Sequence, residues 1–254
     1  MLVAALDTST LTLSVALVEV APDAAPRLLC ERTEGGPARP ERGAGGGHGS
    51  RLPGALQALL VAEGKALPDV QGYAIGLGPG SFTGLRIGLA TWKGLAYANR
   101  RPIAGASSLA AMALAAAEGA GEGTLLVPLL DARKGEVYAG FYRAARGSVE
   151  SVAPEAALPP AALAERVRAV AVGGEARAFG EGYDAHEEAL RPAVARLAAR
   201  IATPGSLEVA RLAAARLLER PFDAQALFAM EPHYVRPSEA ELKFPKGLGP
   251  GADR

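Results

Sequence analysis

The chain has 254 residues, 49% of them hydrophobic, and 27 Lys and Arg balance 27 Asp and Glu, so the formal net charge is zero. A neutral chain lacks the excess field that holds a polyanion by counterion release, which excludes a large, purely electrostatic nucleic-acid footprint. The single cysteine, Cys30, leaves no internal disulfide and no cysteine zinc site, as suits a reducing cytosol, and charge, glycine or proline interrupts every apolar run before it reaches membrane-spanning length.

The first twenty residues, "MLVAALDTSTLTLSVALVEV", carry Asp7 inside an apolar stretch and no basic leader, so they are expected to remain in the protein as structure. "LVAALD", the turn cluster "TST" and "LTLSVALVEV" predict an antiparallel hairpin with Asp7 at its mouth. Residues 34 to 50 are rich in Gly and Pro and predict a mobile loop that contains His48. From Arg51 onward, Leu52, Leu56, Leu59 and Leu60 recur on one helical face, with Gly64 as a stop. "VQGYAIGLG" predicts a strand, followed by a helix over 82–98 with Ser81 or Thr83 as cap. "RPIAGAS" is a further short strand, and Ser107 or Ser108 caps an alanine-rich helix.

After the break at 118–123, "TLLVPLLDARKGEVYAGFYRA" repeats the opening plan, aligning Asp131 with Asp7 and Val137 with Leu13. A strand is expected over 169–172, ending at Gly173 and Gly174, and a helix capped by Ser206 follows. Strands alternating with helices in two similar halves predict an α/β protein of two lobes, 1–105 and 106–242, with a disordered tail over 243–254.

The stretch "GLGPGSFTGLRIGLATWKGLAY" decides between phosphate binding and close packing. A P-loop needs a lysine after its last glycine, but Leu85 and Arg86 follow Gly84; the dinucleotide fingerprint needs a third glycine where Thr83 stands; a nucleophile elbow around Ser81 needs glycines where Pro79 and Thr83 stand. Packing survives, because Gly80, Gly84 and Gly88 clear one stripe at four-residue spacing at a cost of about 1 kcal/mol per helical glycine. The neighbour is either an element of this chain or a second chain, for which Leu52, Leu56, Leu59, Leu60 and Arg86 would complete the surface.

In "LDTST", Asp7 with the hydroxyls and amides of Thr8, Ser9 and Thr10 forms either a site for Mg²⁺ and phosphate or an Asx-turn that closes the hairpin. Gly173 and Gly174 could let an adenosine lie flat on the backbone. The three histidines, His48, His186 and His233, share no metal-ligand spacing, so no metal site is expected.

"LDTST", the glycine stretch, "ASSLAAM", "LLDARKGEVYAGFY" and "EPHYVRP" together resemble the bacterial TsaB (YeaZ-like) family of tRNA threonylcarbamoyladenosine biosynthesis proteins, over residues 2 to about 241. The glycine motif is shared in looser form with a catalytic relative, TsaD, whose metal-holding histidine pair would fall here on Ser108 and Met112, neither of which can serve that site. The resemblance implies an α/β, actin-like ATPase fold of the ribonuclease H-like class, and a non-catalytic scaffold that pairs with a TsaD-like subunit through the helices over 51–63 and 82–98. It further implies a TsaE-like ATPase in the assembled complex and no tightly bound cofactor, with ATP or ADP and Mg²⁺ entering only in the complex. An exposed apolar stripe would also let the isolated chain pair as a homodimer, and the neutral charge points to indirect contact with tRNA, with local patches such as Arg100 and Arg101 left open. The rival expectation is an independent Mg²⁺-dependent phosphotransferase or hydrolase centred on Asp7.

Overall fold

The computed structural model describes residues 1–35 and 47–236, so the centre of the glycine-rich loop and the expected tail lie outside the described residues. The first sheet contains β1 (Leu2–Asp7), β2 (Leu13–Ala21), β3 (Ala24–Glu34), β4 (Gly72–Gly76) and β5 (Ile103–Ala106), in the order β3-β2-β1-β4-β5. β1 pairs antiparallel with β2 and parallel with β4. The second sheet contains β6 (Leu125–Arg133), β7 (Glu136–Ala145), β8 (Ser148–Leu158), β9 (Ala176–Phe179) and β10 (Ala195–Arg196), in the order β8-β7-β6-β9-β10. Its central strand is likewise antiparallel to β7 and parallel to β9. The repeat is therefore of topology as well as pattern, and the two sheets form the actin-like, ribonuclease H-like architecture.

Each sheet is covered on both faces. Alternate residues of β1, Leu2, Ala4 and Leu6, pack toward α1 (His48–Ala62) and α2 (Phe82–Asn99), whereas Val3 and Ala5 face Val209, Ala210 and Ala213 of α7 (Ser206–Glu219). In the second sheet, Leu125, Val127 and Leu129 meet Leu163 and Val167 of α4 (Pro160–Ala171), while Leu126 and Leu130 meet Leu109 and Met112 of α3 (Ser108–Ala117). Burial on both faces explains why the central strands read as continuous apolar runs.

Four expectations change. Edge strands β3 and β8 went unread because each carries a proline, Pro26 or Pro154, and a mixed exposure pattern, as edges tolerate. Residues 169–172 close α4 instead of forming a strand, with Val172 left-handed at the helix end. Ser206 does not cap α7; its amide donates to Ser14 Oγ at 2.9 Å, pinning α7 to β2. Finally, α7 and Leu227 of α8 (Ala224–Ala229), expected in the second lobe, pack on the first sheet.

The glycine stripe is filled from within. Cβ atoms at Gly80 and Gly84 would collide with the carbonyl oxygens of Ser9 and Thr8, and one at Gly88 with the Thr8 hydroxyl. Leu52, Leu56, Leu59 and Leu60 are buried in the same core. Gly84, Gly88 and the four leucines are therefore spent joining α1 and α2 to their own hairpin, and of the seven positions Gly80 alone keeps partial exposure, toward the cleft between the lobes. By contrast, a Cβ at Gly94 of the same helix meets open space. Gly84→Ala should therefore cost about 3 kcal/mol or more, because a backbone carbonyl must move, whereas Gly94→Ala should gain about 0.5–1 kcal/mol of helix propensity; urea denaturation of the two variants measures both.

Candidate functional site

Asp7 ends β1 directly beneath the glycine stripe and is 1% exposed. Its Oδ1 accepts from the Ser9 amide at 2.8 Å and the Ser9 hydroxyl at 2.6 Å, and its Oδ2 accepts from the Ser108 hydroxyl at 2.6 Å. Ser108 Oγ also accepts from the Gly78 amide at 3.2 Å, and the Ser108 amide donates to the Gly78 carbonyl. Ser107, one residue earlier, is the cap of α3, accepting from the Ala110 amide. The two serines thus divide their work, and the reading of both as simple caps missed that Ser108 ties the hairpin turn to the β4–α2 loop. Burial pushes the Asp7 carboxyl above its ordinary range, with the Ser108 and Ser9 hydrogen bonds opposing it. Thr8, Ser9 and Thr10 are buried in the same turn. Asp7 closes an Asx-turn and does not itself reach a surface, whereas Ser9 and Thr10 of the same turn border the cleft between the lobes.

His48 locks the other side of this turn. It opens α1, is 7% exposed, and its Nε2 lies 2.7 Å from the Thr10 carbonyl, to which the neutral ring donates. Arg51 reaches back to the Leu11 carbonyl and lies 3.5 Å from His48 Nδ1. Nothing in the glycine-rich composition around His48 distinguished it from a loop residue; only the fold brings Thr10 to it.

Between the sheets lies a cleft of about 510 Å³. Ser9, Thr10, Gly80 and Phe82 line its first wall, and Asp131, Arg133, Tyr138 and Glu181 its second. Asp131 repeats the Asp7 geometry, its Oδ1 accepting from the Arg133 amide at 2.8 Å, but its Oδ2 is paired with the Arg133 guanidinium at 3.1 Å. Burial, then the Asp131 charge, raises the Glu181 carboxyl above its ordinary value. Gly173 and Gly174 are not on this wall. They precede β9 beside the start of β6, since Leu125 pairs with Ala176, whereas the cleft lies at the other end of the strands. A Mg²⁺–nucleotide centred on Asp7 and this glycine pair does not fit the arrangement, and no phosphoryl-transfer step follows from it.

A segment after α8 straps the two lobes together. The His233 amide donates to the Leu77 carbonyl at 2.7 Å, and the Tyr234 ring lies 5.3 Å from Phe82. Arg86 lies 3.9 Å over Phe82 and donates to the Tyr234 hydroxyl at 3.1 Å, so this predicted interface residue anchors the strap. On the second lobe, Arg236 pairs with Glu136 at 2.8 Å and His233 lies 3.5 Å from Glu155. Glu155 also accepts from Ser107 and Tyr142. Ser107 and His233 thus share a carboxylate rather than a proton between them, and among the described residues no serine hydroxyl is hydrogen-bonded to a histidine.

With this geometry in place, comparison with known proteins is informative. The chain matches the family model "TsaD: tRNA N6-adenosine threonylcarbamoyltransferase" over residues 39–244. It is 35% identical over 186 residues, 73% of each chain, to the tRNA threonylcarbamoyladenosine biosynthesis protein TsaB of Escherichia coli K12. The chain belongs to the TsaB family. A further TsaB, from Bacillus subtilis 168, is 38% identical over 108 residues, 42% of this chain and 46% of that one. A Pseudomonas aeruginosa crystal structure, described as an uncharacterized protein with similarity to peptidase YEAZ, superposes with a TM-score of 0.70 at 31% identity, covering 92% of this chain and 99% of that one. The sequence resemblance put the TsaD-like histidine pair on Ser108 and Met112, and the structure shows what those two residues do instead. At the positions assigned to the TsaD histidine pair, Ser108 is consumed by Asp7 and Gly78, and Met112 is fully buried in the core.

The buried histidine carries a pH signature. Burial lowers its pKa, helped by the Arg51 charge and opposed by the Thr10 hydrogen bond. The unfolded chain binds a proton near pH 6.5 that the folded ring resists, so stability is complete above about pH 6.5 and falls as pH drops through that value toward the depressed folded one. His48→Gln keeps a donor for the Thr10 carbonyl without titrating, so the loss of stability between about pH 7 and 5.5 should shrink, as thermal denaturation across that range would show.

Proposed function

We propose that this chain is the non-catalytic, activating subunit of a complex that places a threonylcarbamoyl group on the adenosine beside the anticodon of tRNA, and that it pairs with a TsaD-like catalytic subunit. Its membership of the TsaB family supports the pathway, and the sealed state of Asp7 with Ser108 and Met112 at the ligand positions supports the division of labour.

The pairing surface is the outward face of α1 and α2, opposite the stripe expected from sequence. Gly54, Gln57 and Val61 of α1 and Thr83, Ala90 and Gly94 of α2 are exposed there. Val61 is 66% exposed, and a Cβ added at Gly54 or Gly94 meets nothing within 4 Å. These two helical glycines each forgo about 1 kcal/mol of helix propensity with no gain in packing inside the chain. That unrecovered cost is the observation that carries the proposal, because close approach of a second helix pair would recover it. The same face would pair two copies when the catalytic subunit is absent. ATP or ADP with Mg²⁺, and a TsaE-like ATPase, belong to the assembled complex in this reading.

Co-expression with a TsaD-like subunit, followed by affinity capture and an assay of adenosine modification, tests the proposal. Ala90→Arg with Gly94→Arg should cut pairing at least about tenfold, a loss of about 1.4 kcal/mol or more, and reduce modification in proportion, while circular dichroism stays that of the parent chain. Undiminished pairing would remove this face from consideration, and modification by this chain in the absence of any companion would sink the non-catalytic assignment.

A further inference from the structure

The C-terminal ends of α2 and α7 converge on a second depression, of about 550 Å³, remote from the interlobe cleft. Arg101, Arg216 and Arg220 line it, and Arg100 stands beside it with its guanidinium 5.5 Å over the Phe222 ring. Among the described residues none of these four arginines has an ion-pair partner, and the buried Nε of Arg101 has no hydrogen-bond acceptor. The only acid on the wall, Asp223, spends its Oδ1 capping α8, accepting from the Gln225 and Ala226 amides. Aromatic surface borders the depression: Tyr97 is 52% exposed and Phe228 62%, with their rings 5.3 Å apart, and Tyr97 continues to Phe222 at 6.3 Å.

Cations at helix C-termini offset the macrodipole, and one arginine at each helix end would suffice for that. Four around one depression, drawn from two helix ends and left without a carboxylate, exceed it and repel one another, Arg216 having only the Leu212 carbonyl at 3.3 Å. That repulsion is relieved by a polyanion whose charges are spaced along a chain. Guanidinium groups match phosphate oxygens bidentately, and exposed rings supply faces on which bases stack.

We infer that this arginine-rich depression and its aromatic border form a docking site for the phosphodiester backbone of RNA. The inference rests on the proposed role in tRNA modification and gives this subunit direct contact with that RNA, where sequence alone implied only indirect contact. The site is small enough to coexist with a net charge of zero, because the four charges are concentrated in one place.

The test is fluorescence anisotropy of the full-length chain with an unmodified tRNA transcript over a series of salt concentrations. Binding with Kd of the order of 10⁻⁵ M at low salt is expected, weakening as salt rises. Arg216→Glu with Arg220→Glu should lower affinity at least tenfold and reduce the log–log salt slope by about 0.7–0.9 for each phosphate that the variant no longer neutralises. Arg146→Glu, in the turn between β7 and β8, should leave both unchanged, and the double variant should still pair with the TsaD-like subunit. Absence of binding, binding indifferent to salt, an equal loss in Arg146→Glu, or preferential retention on phosphatidylglycerol vesicles would overturn the inference. So would loss of subunit pairing in the double variant. Failure of the pairing face in Ala90→Arg with Gly94→Arg would instead strike the functional proposal, leaving the RNA measurement to stand separately.

Discussion

The close seating of α2 on the turn after β1 is the constraint from which the rest of the first lobe follows. Gly80, Gly84 and Gly88 present bare backbone to the carbonyls of Thr8 and Ser9, and the Ser81 amide donates to the Ser9 carbonyl at 2.6 Å. Any side chain at these glycines would lift the helix, and with it Trp92, whose Nε1 donates to the Ala4 carbonyl at 3.1 Å in the middle of β1. The approach also seals Asp7, since solvent is excluded from above by the helix and from the side by Ser108 and Gly76. A buried carboxylate is tolerable only with its acceptor capacity used, and here three donors use it.

The two lobes share a plan but diverge in what they do with it. Asp7 ends β1, Asp131 lies two residues before the end of β6, and both accept from the amide two residues on. In the first lobe a helix descends on that turn; in the second, Asp131 remains at the cleft and is neutralised by Arg133. Divergence of this kind turns a duplicated fold into an asymmetric one, in which the first strand's Asp is covered and the second strand's Asp keeps its place on the cleft wall. The strap of His233, Tyr234 and Arg236 then fixes one lobe against the other through a ring contact, a backbone hydrogen bond and an ion pair. The strap adds Tyr234 and Arg236 to the cleft wall, while the surfaces proposed for a partner and for RNA lie outside it.

Those surfaces are distributed accordingly. The outward faces of α1 and α2 are small and uncharged near Gly54 and Gly94, which favours close protein contact. The ends of α2 and α7 are cationic and aromatic, which favours a polyanion. Both lie on helices whose inner faces are committed to the core, so each helix performs a structural task on one side and presents chemistry on the other.

The sequence by itself determined the β1–β2 and β6–β7 hairpins, the central strands, α2 and the internal repeat, because apolar runs buried on both faces, turn residues and caps are local signals. It also determined the family, through motifs that span most of the chain, and it showed that no phosphate loop exists, because the required lysine or glycine is missing at a definite position. Only the tertiary structure decided what faces the glycine stripe. Spacing reports that a helix face is bare, while the identity of its neighbour depends on contacts between residues some seventy positions apart, as between Thr8 and Gly84. Separation in sequence likewise hid the Asp7–Ser108 bond, the His48–Thr10 bond and the meeting of Arg101 with Arg216 and Arg220, each of which joins residues that carry no mark of one another until the chain has folded.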